Sequence, residues 1–169
     1  MKLSSVKLRQ EVFQSDAYKI IDWMEDEEVT KYLNERQNVG KSIRQVIYRL
    51  NMPILTHVFN QNGSFFMITT NQEESIGFLR LVPKERGAEI VVVIGEKEIW
   101  GKGLGPNAII EGLKHAFFEW RVNEVIAKIR YDNVRSIKAF EKVGFTRDRE
   151  LAREIQYSIC MKRFLEMVA

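Results

Sequence analysis

The feature that most constrains the fold is a β-branched run that leads into a glycine-rich turn and then into an amphipathic helix. Ile90 to Ile94 reads I-V-V-V-I, which is typical of a central strand buried on both faces. The turn W-G-K-G-L-G follows at Trp100 to Gly105, and apolar residues then recur at helical spacing from Ala108 to Trp120. This order of strand, turn and helix predicts an α/β domain with a ligand-binding turn after its central strand.

Other elements are predicted on both sides of this unit. Alternation predicts a first strand over Val6 to Phe13, and helical spacing predicts one helix that begins near Ser15 or Asp16 and a second from Ser42 to Leu50. Three strand-like runs then predict an antiparallel meander: Phe65 to Thr69, Ser75 to Leu81 and Ala88 to Ile94. After the turn and its helix we expect a strand at Val125 to Tyr131, a helix at Arg135 to Val143, and strands around Phe145 to Asp148 and Gln156 to Phe164.

Length and composition exclude several classes of protein. With 169 residues the chain is expected to form a single domain, residues 1–169, and no apolar window is long enough to span a membrane. Its single cysteine excludes an internal disulfide and a Cys-rich zinc site, and its two histidines have no ligand-spaced neighbours, so no metal is predicted. Lys and Arg total 26 against 23 Asp and Glu, and the charges are interspersed, which is weak evidence for nucleic acid as a partner and favours a ligand with several phosphates.

The glycine-rich turn has the composition of an anion-binding loop. Gly101, Gly103 and Gly105 allow the backbone to approach a ligand closely, and a helix beginning near Pro106 would add the positive end of its dipole. A Walker-type loop and a dinucleotide G-x-G-x-x-G motif are both absent. On its own the turn fits either a pyrophosphate-binding loop or an ordinary connection between strand and helix.

A second motif makes the interpretation specific. Asn133 to Phe145 reads N-V-R-S-I-K-A-F-E-K-V-G-F and enters a helix directly after a strand. The order W-G-K-G-L-G, helix, strand and N-x-x-S-I-x-x-F-E-K-x-G-F resembles the GNAT superfamily of N-acetyltransferases, and within it the branch that contains ribosomal-protein alanine and small-molecule acetyltransferases. The resemblance spans essentially the whole chain. It implies the GNAT fold, in which a mixed, mostly antiparallel sheet of about six to seven strands is flanked by about four helices.

The resemblance also implies acetyl-coenzyme A as the acetyl donor and assigns residues to it. The implied donor-binding residues are Val93, Ile94, Trp100, Gly101, Lys102, Gly103, Leu104, Gly105, Asn133, Ser136 and Lys142. Two positions depart from the family pattern, because Trp100 replaces a polar residue and Pro106 lacks a backbone N–H. Asn133 has the alternative role of capping a helix.

Direct attack of a primary amine on the thioester is the implied reaction. Glu89 matches the glutamate that acts as the general base in the resembling branch, with a solvated strand-end carboxylate as the alternative. Phe140 stands where many members have the tyrosine that protonates the leaving thiolate. Tyr131, Ser136 and bulk water are therefore the candidates for the proton donor. The missing tyrosine also leaves a non-catalytic acyl-coenzyme A sensor as an alternative function.

The expected partner is an amine acceptor, either a small molecule or a peptide amino terminus. A cytoplasmic location is expected, with no nucleic acid and no membrane as partner, and a homodimer is compatible with the resemblance. The acidic run Glu25 to Glu28 would attract a cationic acceptor if it borders the amine site, although a solvated helix face explains it equally well. Otherwise the acceptor would be selected by the loop of residues 34–40 or by residues near Tyr157.

Overall fold

A computed structural model describes residues 5–33 and 39–169, the side chains of residues 39 and 40 apart. Seven strands form one sheet in the order β1-β2-β3-β4-β5-β7-β6. Their bounds are β1 Lys7–Arg9, β2 Ser64–Thr69, β3 Ser75–Lys84, β4 Gly87–Ile94, β5 Glu124–Arg130, β6 Thr146–Glu150 and β7 Glu154–Cys160. All neighbouring strands are antiparallel except β4 and β5, which are parallel. The predicted mixed, mostly antiparallel sheet is confirmed.

Helices cover both faces of the sheet. Their bounds are α1 Gln14–Glu25, α2 Glu27–Thr30, α3 Val39–Leu50, α4 Thr56–Phe59, α5 Leu104–Lys114, α6 Val134–Val143 and α7 Met161–Val168. Apolar residues of α5 and α6 pack on one face, and those of α1 and α3 belong to clusters on the other. None of the helices in the described part of the chain is long and apolar enough to cross a membrane.

Strand β4 lies at the centre of the sheet, as its β-branched run predicts, but it is not buried along its whole length. Ala88, Ile90 and Val93 are buried, whereas Val92 and Ile94 are partly exposed. The reason is that β4 pairs with β5 only at Ala88 and Glu89, and the two strands separate beyond that point. A parallel pair that separates leaves one edge of β4 without a strand partner, and this edge is where a ligand can enter.

Helix α5 begins earlier than the sequence suggests. Gly103 is its N-cap with φ 79°, so Leu104 is the first helical residue and Pro106 is the third. Proline is tolerated there because the first backbone N–H groups of a helix have no intrahelical acceptor. The predicted helix from Ala108 to Trp120 is therefore extended at its start, and its end is a π-helical turn, His115–Glu119.

Two terminal elements differ from the sequence prediction. The predicted strand over Val6 to Phe13 is restricted to β1, because the chain turns to enter α1, whose capping box joins the Asp16 carboxylate to the backbone N–H of Phe13 at 2.9 Å. The strand predicted from Gln156 to Phe164 ends at Cys160, whose Sγ accepts from the backbone N–H of Arg163 at the start of α7. Helix α7 then buries Phe164 against the core.

Candidate functional site

A cleft of about 330 Å³ opens where β4 and β5 separate. The sides of this cleft are formed by β4, by the turn before α5, and by α6, while α2 and the residues after it close one end. Its walls include Val93, Ile94, Trp100, Gly101, Gly103, Leu104, Gly105, Asn133, Ser136 and Lys142. Of the residues that the sequence predicted for the donor, only Lys102 is not among those that line the cleft.

The free edge of β4 presents backbone groups to this cleft. The N–H of Gly95 donates to the carbonyl of Ile76 at 2.8 Å, which continues the β3–β4 ladder by one residue. Because bonds in an antiparallel ladder alternate along a strand, the backbone groups of Val93 point towards β3, and those of Val92 and Ile94 point towards the cleft. The carbonyl of Ile94 already accepts a hydrogen bond from the indole N–H of Trp100 at 2.8 Å.

The turn before α5 can hold an anion through its backbone. Gly101 and Gly103 have φ values of 80° and 79°, a backbone conformation that residues other than glycine rarely adopt. The amides of Gly103, Leu104 and Gly105 lie in the first turn of the helix, where they have no intrahelical acceptor. Pro106 supplies no fourth donor. Three amides and the positive end of the helix dipole are therefore available to an anion at this end of the cleft.

Trp100, which replaces the polar residue of the family pattern, holds a cation in place. The guanidinium of Arg135 lies 3.7 Å from the centre of the Trp100 ring, close enough for a cation–π interaction. Arg135, Lys138 and Lys142 all line the cleft from α6. Arg135 and Lys138 are not among the residues that the sequence predicted for the donor. Their spacing with Lys142, at positions i, i+3 and i+7, places all three on one helix face and was the available signal.

The second motif forms the opposite wall through α6. Asn133 is the N-cap of this helix, and its side-chain oxygen accepts from the backbone N–H of Ser136 at 3.3 Å. Asn133 therefore does cap a helix, and it lines the cleft as well. Phe140 is buried and contacts Phe145 edge to face at 5.0 Å, so this position contributes to the core rather than a hydroxyl.

Glu89 lies where the cleft begins rather than inside it. It is the last residue of β4 that pairs with β5, and its carboxylate forms ion pairs with Lys84 at 3.3 Å and Lys128 at 3.6 Å. Its side chain points to the same face of the sheet as Val91 and Val93, which is the face covered by α1 and α3. Glu89 is therefore on the side of the sheet opposite to α5 and α6.

Tyr131 does not reach the cleft. Its hydroxyl donates to the carbonyl of Leu151 at 2.7 Å, and the residue is absent from the cleft walls in the described part of the chain. Ser136 is the one predicted proton donor that lines the cleft. The geometry therefore separates these two candidates, which sequence alone did not distinguish.

The acidic run after α1 is engaged with basic side chains of the same protein. Asp26 caps α2 through the backbone N–H of Glu28 and pairs with Lys97 at 2.9 Å. The hydrogen bond from Lys97 is the main reason that the pKa of Asp26 lies below its usual value. Glu28 lies 3.7 Å from the same ammonium, and Glu25 pairs with Arg44 at 3.1 Å. The run thus has a structural role that the sequence did not reveal.

Comparison with known proteins identifies the family. The model of the acetyltransferase (GNAT) domain matches residues 7–146, a range that contains both sequence motifs and the whole cleft. The chain belongs to the GNAT acetyltransferase family. It is 31% identical over 147 residues to an uncharacterized N-acetyltransferase, p20, of Bacillus licheniformis, an alignment that covers 82% of this chain and 80% of that protein. It is therefore an N-acetyltransferase, and acetyl-coenzyme A is its acetyl donor.

Solved structures share the fold at low sequence identity. The aminoglycoside acetyltransferase AAC(6')-Ib in complex with coenzyme A superposes with a TM-score of 0.80 at 18% identity, covering 98% of this chain and 100% of that one. Spermidine N-acetyltransferase from Vibrio cholerae, in complex with coenzyme A and spermine, gives 0.78 at 17% identity, covering 95% and 98%. These similarities confirm the GNAT fold.

Proposed function

We propose that this N-acetyltransferase transfers the acetyl group directly to a primary amine that reaches β4 from the face covered by α1 and α3. The observation that carries the proposal is the separation of β4 from β5 immediately after Glu89. This separation opens a gap in the sheet, so a donor held between α5 and α6 and an amine on the opposite face can meet at β4. Transfer then needs no acyl-enzyme intermediate, and both substrates are bound at once.

The donor would be held by backbone groups along its length. The free amides of Gly103, Leu104 and Gly105 suit the pyrophosphate, and Arg135 beside Trp100 supplies a positive charge near this end. Towards the other end, the exposed N–H groups of Val92 and Ile94 suit the amide groups of the pantetheine arm and the thioester carbonyl. We retain Asn133, Ser136 and Lys142 as contacts from α6. Lys102, which is exposed and outside the cleft, is no longer needed as a charge partner.

Glu89 would serve as the general base. An alkylamine with a pKa near about 10 is mostly protonated at neutral pH and must lose a proton before it attacks. In the proposed step the amine nitrogen forms a bond to the acetyl carbon, the carbon–sulfur bond breaks, and Glu89 receives the amine proton through water. The departing thiolate takes its proton from water, either directly or through the Ser136 hydroxyl, which passes on its own proton and receives one from water in the same step. Tyr131 has no part in this proposal because its hydroxyl is bonded to Leu151.

The experiment is an acetyl-transfer assay with a panel of amines, in which released thiol and acetylated product are both measured. We expect Glu89→Gln to lower kcat by roughly 10²- to 10⁴-fold while leaving acetyl-coenzyme A binding unchanged. Glu85→Gln, an exposed carboxylate in the turn after β3, is the matched control and should retain full activity. A Glu89→Gln enzyme that keeps the wild-type rate below pH 7, where the amine is mostly protonated, would remove Glu89 from the mechanism.

A further inference from the structure

A second cavity lies on the face of the sheet opposite to the donor cleft. It has a volume of about 530 Å³, opens to solvent and is lined by α1, α3, α4 and strands β2 and β3. Ligand cavities for small organic molecules commonly have volumes of about 300–1,000 Å³. We call this space the acceptor cavity. Its size suits a small molecule, and its walls share no residue with the donor cleft.

The acceptor cavity adjoins the part of β4 that the proposed reaction uses. Arg80 and Val82 of β3 form part of its wall, and they pair with Val91 and Glu89 of β4. Neighbouring strands lie about 4.8 Å apart, so one strand spacing separates this wall from Glu89. A molecule whose body occupies the cavity could thus direct an amine over Val91 to the point where β4 and β5 separate.

Among the described residues, the lining of the acceptor cavity is mostly apolar, its polar side chains are Ser42, Gln61, Asn62, Ser64 and Arg80, and it includes no carboxylate. Their hydrophobic members are Ile20, Met24, Ile43, Val46, Ile47, Leu55, Val58, Phe59, Phe65, Phe78, Leu81 and Val82. Phe65 lies between two other rings, with its centroid 4.9 Å from that of Phe59 and 5.2 Å from that of Phe78. Arg80 is the one charged residue among the lining residues in the described part of the chain. The cavity is therefore suited to aromatic or aliphatic groups.

Charge disfavours an acceptor with several ammonium groups. A second ammonium in this cavity would lose hydration and find no carboxylate among the described lining residues, which is a large cost for a buried cation. Glu25 and Asp26, which follow the lining residue Met24 in the chain, are already paired with Arg44 and Lys97. The Vibrio cholerae structure, by contrast, contains spermine, a polycation. Fold similarity at 17% identity does not extend that preference to this protein.

We propose that the acceptor is a primary monoamine on an apolar, uncharged body, such as an arylalkylamine, and that this body occupies the acceptor cavity. The inference rests on the proposed function and specifies its substrate class. The single amine would be the group that reaches Glu89, and the rings of Phe59, Phe65 and Phe78 would contact the apolar body. The acidic run Glu25 to Glu28 would then have no direct role in recognition.

The experiment compares kcat/KM for 2-phenylethylamine and isoamylamine with kcat/KM for spermidine and kanamycin. We expect the two monoamines to be preferred by roughly tenfold or more, a difference typical of apolar pocket recognition. Val58→Trp fills the cavity from α4 and should raise KM for 2-phenylethylamine about tenfold without changing KM for acetyl-coenzyme A. Val168→Trp, at an exposed site on α7, is the matched control and should change neither constant.

A third variant tests the role of charge. Val46→Asp places a carboxylate at the half-buried rim of the cavity and should shift the preference towards spermidine. Preference of the wild type for spermidine or kanamycin would overturn the inference and leave acetyl transfer to amines intact. If no amine is acetylated, calorimetry in the presence of coenzyme A measures whether 2-phenylethylamine binds to the acceptor cavity. If 2-phenylethylamine binds the wild type and Val58→Trp abolishes this binding, the acceptor cavity is supported and the proposed reaction is refuted. If 2-phenylethylamine does not bind, the inference is refuted.

Discussion

At the scale of single residues, Asp16 joins three parts of the fold. Its carboxylate is buried and accepts from Arg9 at 2.8 Å, from the hydroxyl of Ser75 at 2.7 Å and from the backbone N–H of Phe13. Burial alone would raise the pKa of Asp16, but the hydrogen bonds from Arg9, Ser75 and Phe13 outweigh burial and lower it. The charged form therefore stabilises the attachment of β1 and α1 to β3.

Asp16→Asn should lower the free energy of unfolding by about 2–3 kcal/mol at pH 7, because it leaves Arg9 without its buried partner. A lowered pKa in the folded state means that this stabilisation is complete above the unfolded pKa of about 3.9 and is lost as the pH falls through the folded value. Urea unfolding from pH 7 to pH 3 should show the two proteins converging at the acidic end. Asp22→Asn, an exposed change in the same helix, should match the wild type throughout.

At the scale of elements, the proposed role of the turn before α5 in donor binding can be tested at Gly105. A Cβ added at Gly105 would meet only the Cβ of Ala139, at 3.9 Å, so the protein itself has room for a side chain there. Gly105→Val should therefore stay folded and weaken coenzyme A binding by about tenfold or more, because the side chain enters the cleft. Calorimetry and thermal unfolding measure the two effects separately. Unchanged affinity in a folded variant would contradict the loop assignment.

Gly105→Ala provides the graded control for that experiment. It adds a single methyl group and should improve helix formation by about 0.5–1 kcal/mol while reducing affinity less than valine does. Gly103→Val is a weaker test, because the backbone at this position has φ 79° and strains any branched residue. A loss of coenzyme A binding in this variant could then result from misfolding of the turn. The choice between these two glycines depends on backbone conformation, which the sequence does not give.

The sequence predicted the meander, the turn, α5 and α6 because each has a strong local pattern. The prediction was wrong where a short apolar run is compatible with both strand and helix spacing. Met161, Phe164, Leu165 and Val168 follow helical spacing, but the preceding strand residues obscured the change of period at Cys160. The stacking of Arg135 on Trp100 joins two elements that only tertiary packing brings together, so the motif indicated the loop but not its cation. The sequence also could not distinguish Tyr131 from Ser136 as the proton donor, because only the tertiary structure shows which of them lines the cleft.

At the scale of the whole molecule, the sheet separates the donor cleft, whose wall includes β4, from the acceptor cavity, whose wall includes the neighbouring strand β3. The donor cleft opens between α5 and α6, and the acceptor cavity opens on the side of α1 and α3. The gap after Glu89 lies between the two faces. The sequence could not indicate this arrangement, because the end of β4–β5 pairing is a property of strand geometry and no residue pattern marks it.

Separate entrances have a consequence for the order in which substrates are added. Since neither substrate has to pass through the space of the other, we expect a random sequential mechanism rather than an obligatory order. Double-reciprocal initial-velocity plots at several fixed concentrations of either substrate should give intersecting lines. The amine should also bind to the free enzyme in the absence of acetyl-coenzyme A. An amine that binds only after coenzyme A would show instead that the donor completes the acceptor site. Under the random mechanism, either substrate can bind first on its own face of the sheet, and the second then binds to complete the ternary complex.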